Sequence, residues 1–190
     1  MSEQRIALGI DIGGTKVYAG LMSEDGTLVR TERFAMRLAP IREFAADLCR
    51  HLDVLLDGFE ARSRVEGIGI GVKGHIDHIG NRILRSSTLM LDPAFDLGRE
   101  LSERYALPVT VENDVNAATM AECLLGAGRE SRDFVYINIG TGTAVVLVAD
   151  GHLIRGRRNY AGEIGLTLMR RKEGEPPLYR MEDVASGKGM

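Results

Sequence analysis

A short stretch near the start of the chain, "GIDIGGTKVYAG", combines the residue types that a phosphate site needs. Gly13 and Gly14 lack a Cβ, so a turn built on them can bring backbone N–H groups close to an anion. Lys16 adds a cation and Thr15 a hydroxyl donor. Asp11 cannot serve an anion directly; its carboxylate suits a hydrated Mg2+ shared with the phosphates. The order Gly14-Thr15-Lys16 is not that of a Walker loop, where lysine precedes the hydroxyl residue. A plain hairpin whose glycines only permit the bend would carry the same residues.

A second glycine turn, "NIGTGTA" (Asn138–Ala144), follows an apolar run in the same way, with Gly140, Thr141 and Gly142 at its tip. Two such loops could grip a polyphosphate from opposite sides. By contrast, the G-x-G-x-x-G of Gly69 to Gly74 is a decoy. Its first glycines lie inside an alternating strand and "HIDHIGNRIL" after it does not open a helix, as a dinucleotide fingerprint requires.

"VENDVNAA" concentrates Asn113, Asp114 and Asn116 at the end of a strand. Amides that donate and accept, beside a carboxylate that accepts, suit a polyhydroxylated ligand. A carboxylate there can also take the proton of a hydroxyl as its oxygen attacks a phosphate. Capping of the following helix by Asp114 would explain the same aspartate. In "AGEIG", Glu163 stands between glycines as a ligand contact or a solvated turn. His75 and His78 resemble a metal pair, but no third ligand stands nearby, so surface histidines in a loop are expected.

Several elements must position these residues. Ile6–Asp11, Val17–Met22 and "TLVRTERFAM" read as three strands, the last two joined by the Asp25-Gly26 turn. Phe44, Leu48, Leu52, Leu55, Leu56 and Phe59 recur at helical spacing after Pro40. Val65–Val72 alternates as a strand, "DLGRELSERYAL" reads as a short helix, and Pro108–Asn113 as a further strand. A helix follows from about Val115 to Leu125, ended by Gly126 and Gly128. "FVYINIG", "TAVVLVADG" and "HLIRG" then repeat the opening three-strand pattern, a weak internal repeat that implies two related halves. The charged stretch "KEGEPP" leads to "LYRMEDVASGKGM", which reads as the start of another helix. The second half looks incomplete, as in the N-terminal portion of a longer protein or a naturally shortened one.

The 190 residues are 44% hydrophobic and 27% charged, ordinary for a soluble globular protein. A formal net charge of −3 argues against nucleic acid as a partner, although "LIRGRR" forms a local basic patch. Cys49 and Cys123 form no CxxC pair and read as free buried thiols of a reducing compartment. No secretory signal and no apolar run of about 18 residues is visible, so no membrane partner is expected and the location is expected to be cytoplasmic.

In this order, "GIDIGGTK", "GIGIGVKGHID", "PVTVENDVNAA", "INIGTG" and "AGEIG" together resemble the ROK family of repressors, open reading frames and sugar kinases. The resemblance implies an α/β ribonuclease H-like fold of the actin/hexokinase ATPase type, a mixed sheet flanked by helices, with the second domain incomplete. The first domain would be residues 1–128 and the second would begin at 129–190. It implies transfer of the γ-phosphate of ATP to a hexose or N-acetylhexosamine. Asp114 would be the general base, while Asn113, Glu163, Glu182 and Gly74 would contact the sugar with it. Asp11, Gly13, Gly14, Thr15 and Lys16 would form the first phosphate loop, with Asp11 holding Mg2+. Gly140, Thr141 and Gly142 would form the second. Family members commonly pair through the second domain, which implies a homodimer.

The chain departs from the family at Leu166, where a histidine is usual, and lacks the cysteine cluster of its zinc site, so zinc is not expected. Thr143 and Ala144 replace further glycines of the second loop, and Lys73 replaces a proline. With only eight residues before Gly9, the DNA-reading branch is not expected. These departures keep open a catalytically idle sugar-binding or interaction protein. An ATPase without a sugar acceptor is a further alternative, disfavoured by the polar cluster at Asn113–Asn116.

Overall fold

The computed structural model describes residues 4–170 and 178–187. It parts into two compact units, Met1–Asp114 and Val115–Met190. The helix that starts at residue 114 is thereby grouped with the second unit, whereas the sequence places the domain boundary at 128. Among the described residues, no helix is long and apolar enough to cross a membrane.

The first unit opens with an antiparallel meander, β1 (Ile6–Ile12), β2 (Lys16–Ser23) and β3 (Leu28–Ala35). Strict alternation puts Ile6, Leu8, Ile10 and Ile12 in the core and leaves Ala7, Gly9 and Asp11 on the open face. Helix α1 (Ile41–Leu56) covers the core face with Phe44, Leu48, Leu52 and Leu55, spaced for a single stripe. Its last turn leaves carbonyls unpaired, and Arg30 donates to two of them, Leu55 O at 3.2 Å and Asp57 O at 2.7 Å. Removing the Leu48 side chain, which is fully buried, would cost about 3 kcal/mol.

The chain returns from α1 as β4 (Val65–Val72), parallel to β1. A small hairpin, β5 (Gly74–Asp77) and β6 (Arg82–Ser86), precedes α2 (Leu97–Tyr105), which Asp96 caps by accepting from Arg99 N at 3.2 Å. Strand β7 (Val109–Asn113) then pairs parallel to β4, giving a mixed sheet in the order β3-β2-β1-β4-β7. On the outer edge of β7, the carboxamide of Asn81 donates to Val109 O and accepts from Val111 N, both at 2.7 Å. A side chain thus stands in for the next strand, from a left-handed backbone position with φ 53°.

Helix α3 (Asp114–Leu125) comes directly after β7. The second unit then repeats the opening meander as β8 (Phe134–Ile139), β9 (Thr143–Ala149) and β10 (His152–Leu153), in the order β10-β9-β8. Beyond it, β11 (Leu168–Met169) pairs with β12 (Tyr179–Arg180). The helix expected after residue 178 is not formed among the described residues. Only a 3-10 turn, Met181–Asp183, is present, closed by Arg180 N donating to Asp183 Oδ2 at 3.0 Å. The stretch 172–177 lies outside the described residues. Cys49 is buried as expected, but Cys123 is only half-buried, because α3 buries only Thr119 fully.

The repeat extends to side-chain placement but not to burial. Leu8, Ile10 and Ile12 are at most 3% exposed, whereas Val135, Ile137 and Ile139 are 53%, 60% and 60% exposed. Among the described residues, the corresponding face of the second unit is exposed.

Candidate active site

Three strands of the first unit run parallel, β1, β4 and β7, and their carboxyl ends lie in one register row: Ile12 beside Val72, and Val72 beside Asn113. The segments that leave these strands therefore emerge at the same edge of the sheet. They are Gly13-Gly14-Thr15-Lys16 after β1, Lys73-Gly74 after β4, and Asp114 after β7. The carboxyl ends of parallel strands in an open α/β sheet are the usual place for a ligand.

The first loop is a tight turn in which Gly13 N donates to Lys16 O at 3.0 Å. That bond uses the amide of Gly13, so the amides free for an anion are those of Gly14 and Thr15. Neither donates to a protein acceptor among the described residues. Gly14, Thr15 and Lys16 are all exposed. The nearest atom to a Cβ placed on Gly14 would be a methyl carbon of Thr88, at 3.8 Å.

Asp11 sits one residue before that turn. Although the residue is exposed as a whole, its carboxyl is partly desolvated, and this burial pushes its pKa up. The nearby Asp114 carboxylate pushes it further in the same direction. A group of oxygen donors with too much negative charge for its surroundings is the chemistry that a hard divalent cation satisfies.

Gly74 is held in a geometry that only glycine fits. Its φ is 156°, and a Cβ there would lie 2.1 Å from Arg85 O across the hairpin. Asn113 Nδ2 donates to Gly74 O at 3.1 Å, which joins the strand ends of β4 and β7 by a side chain. Ser86 supports the same corner by donating to Lys73 O at 2.8 Å, with Thr88 Oγ1 2.9 Å from its hydroxyl. Ser86 and Thr88 carry no motif, and only the fold reveals their part in holding the loop. Asp114 is the first residue of α3 and not a residue outside it, so its charge stands at the positive end of the helix.

The second unit assembles the other expected residues. Gly140 N donates to Gly142 O at 2.9 Å, and Gly140 O accepts from Gly187 N at 2.8 Å. Thr143 donates through its hydroxyl to Ala185 O, so the loop is anchored on both sides by residues 185–187. Thr141 is exposed at the tip. Glu163 precedes the 3-10 turn Ile164–Leu166, and Glu182 lies in the turn Met181–Asp183. These two turns pack together: a Cβ on Gly165 would lie 3.3 Å from Glu182 Cβ and 2.3 Å from Thr143 O. Glu163, Glu182 and the second glycine loop thus belong to one local cluster. His75 is half-buried on β5 and His78 exposed, so His75 is a strand residue and not a loop one. Among the described residues no group of three or more His, Cys, Asp or Glu is gathered as a metal would need. The decoy glycines Gly69 and Gly71 lie within β4, which leads into a hairpin and not a helix.

The ROK family model matches residues 7–189. The chain belongs to the ROK family. Its ROK relatives include a beta-glucoside kinase of Klebsiella pneumoniae, 34% identical over 91% of this chain and 56% of the relative. A glucokinase of Streptomyces coelicolor is 30% identical over 84% of this chain and 49% of its own length. Among solved structures, a ROK family glucokinase from Streptomyces griseus, in complex with glucose and AMPPNP, superposes with a TM-score of 0.78 at 30% identity. That match covers 97% of this chain and 58% of the other. This ROK chain thus spans about half the length of the curated relatives it matches. Its mixed sheet flanked by helices is the actin/hexokinase-type arrangement.

Proposed function

We propose that the protein to which this chain belongs is an ATP-dependent sugar kinase, and that Asp114 activates the sugar hydroxyl. The observation that carries the reading is the register row at the ends of β1, β4 and β7. It gathers a glycine turn with open amides, a carboxyl perturbed by burial and by its neighbour, and the Asn113–Asp114 pair. The kinase names of the relatives support it.

In this reading Gly14, Thr15 and Lys16 hold phosphate oxygens of ATP, with Gly140, Thr141 and Gly142 as a second phosphate contact. Asn113, Glu163, Glu182 and Gly74 orient a hexose or N-acetylhexosamine. Asp114 takes the hydroxyl proton as that oxygen bonds to the γ-phosphorus, and the bond from the γ-phosphorus to the bridging oxygen of ADP breaks. Asp11 would help to hold Mg2+, which when bound would neutralise charge on the phosphates. In this reading the protein is cytoplasmic and forms a homodimer.

The test is ADP release from Mg-ATP with a panel of hexoses and hexosamines, in the full natural reading frame. Asp114→Ala should lower turnover by roughly a hundredfold or more while sugar affinity, read by calorimetry, stays near wild type. Full turnover by Asp114→Ala removes the aspartate from this role.

A catalytically idle sugar-binding protein is the second reading. The second loop favours it, because both backbone groups of Gly140 are already bonded within the unit. It requires sugar binding without sugar-dependent ADP release.

A further inference from the structure

Outside the residues already assigned, a side-chain contact joins the start of α3 to the loop that ends in Glu163. Asn116 Nδ2 donates to Asn159 Oδ1 at 3.3 Å. Both residues are half-buried. Asn116 is the third residue of α3, a place where asparagine is a mediocre helix former. Its side chain is used across the fold instead.

The loop is built to present Asn159. Gly156 and Asn159 both have left-handed backbones, with φ 67° and 58°. Asn159 N donates to Gly156 O at 3.4 Å and Ala161 N to Arg155 O at 3.1 Å, which closes a compact turn. Gly162, at φ 88°, presses against β9: a Cβ there would lie 1.6 Å from Val145 O, and Gly162 O accepts from Val145 N at 2.9 Å. The loop is therefore pinned at its base, and its tip carries a carboxamide. Asparagine tolerates a left-handed backbone better than other side chains do. Glycine would satisfy that backbone equally, so the backbone alone does not call for a carboxamide.

We propose that Asn159 is a positioning residue for the sugar. Its carboxamide oxygen fixes the rotation of the Asn116 carboxamide and ties the first turn of α3 to the loop that presents Glu163. The inference rests on the proposed sugar kinase function. It adds two residues, Asn116 and Asn159, that act on the sugar through the groups they hold in place.

Two variants separate the side chain from the backbone. Asn159→Gly keeps the left-handed turn and removes the carboxamide; Asn159→Asp keeps the turn and an oxygen that can accept from Asn116. Each variant, made in the full natural reading frame, is given two readouts. One is the side-chain amide resonance pair of Asn116, assigned by its loss in Asn116→Ser. The other is calorimetric affinity for glucose, N-acetylglucosamine and N-acetylmannosamine. The expected result is that Asn159→Gly moves the Asn116 resonances and weakens sugar affinity roughly three- to tenfold, the worth of about one hydrogen bond. Asn159→Asp should restore most of the affinity. In the active protein the loss should fall on KM and leave kcat within about twofold of wild type. Unmoved Asn116 resonances in Asn159→Gly would overturn the contact. Moved resonances with unchanged affinity would reduce it to a loop staple and overturn the positioning role. If the wild-type protein in its full natural reading frame bound none of the sugars, the sugar reading itself would fall, whatever the resonances did.

Discussion

Burial and, after it, the carboxylate of Asp114 raise the pKa of Asp11, although the two acids stand at the ends of strands that are not neighbours in the sheet. Strand β4 lies between β1 and β7, and two strand spacings amount to about 10 Å. The residue of β4 in register with Asp11 is Gly71, which is also in register with Glu112. Gly71 places no side chain of its own in that row. The two acids, two strands apart in the sheet, thus share an electrostatic field.

That field has a measurable cost. Desolvation and then Asp114 both oppose the ionised form of Asp11, so its folded-state pKa lies above the ordinary value of 3.8. A carboxyl with a raised folded pKa stabilises the fold at low pH and loses that stability as pH rises through its titration. Asp11→Asn has no such titration. Thermal melts without Mg2+ between about pH 4 and pH 7 should show Asp11→Asn gaining on wild type as the pH rises. The same variant should bind Mg-ATP more weakly. A constant difference across the pH range would remove the perturbed carboxyl from the account.

Gly74 offers a test of the loop after β4. An alanine there needs about 1 Å or more of movement to escape Arg85 O and must keep a φ of 156°. Gly74→Ala should therefore cost about 2 kcal/mol or more in denaturant unfolding. Because Asn113 Nδ2 bonds to Gly74 O, sugar affinity should fall with it. Wild-type stability in Gly74→Ala would mean that the hairpin yields freely.

Much of this arrangement is legible in the residues. The alternation of β1, the Asp25-Gly26 bend and the stripe from Phe44 to Leu55 each follow from local periodicity, and all three are found. The bends of Asp11–Lys16 and Gly140–Gly142 are legible because glycine at a strand end marks a turn. What the sequence hides is side-chain mimicry of backbone. Asn81 does this for the edge of β7, and it and the side-chain bond from Asn116 to Asn159 need partners 28 to 43 positions away. No periodicity encodes such distances. The one clue is asparagine itself, the side chain that best accepts a left-handed turn. The segment after residue 178 reads as a helix start and does carry a cap contact, Asp183 accepting from Arg180 N, yet only a single 3-10 turn forms among the described residues.

The repeat supplies a paired experiment. Ile10 and Ile137 hold equivalent places in β1 and β8, two residues before Ile12 and Ile139, yet one is 3% and the other 60% exposed. Burying an unpaired ammonium is far more costly than leaving it in water. Ile10→Lys should leave no cooperative unfolding transition in the 190-residue chain. Ile137→Lys should change its stability by less than about 0.5 kcal/mol. Strand β8 is also the edge of its sheet, and an apolar edge strand invites pairing with another chain. A lysine at 137 should therefore reduce self-association in sedimentation. If Ile137→Lys instead unfolds the second unit, that face is covered in solution, and the contrast with Ile10 disappears.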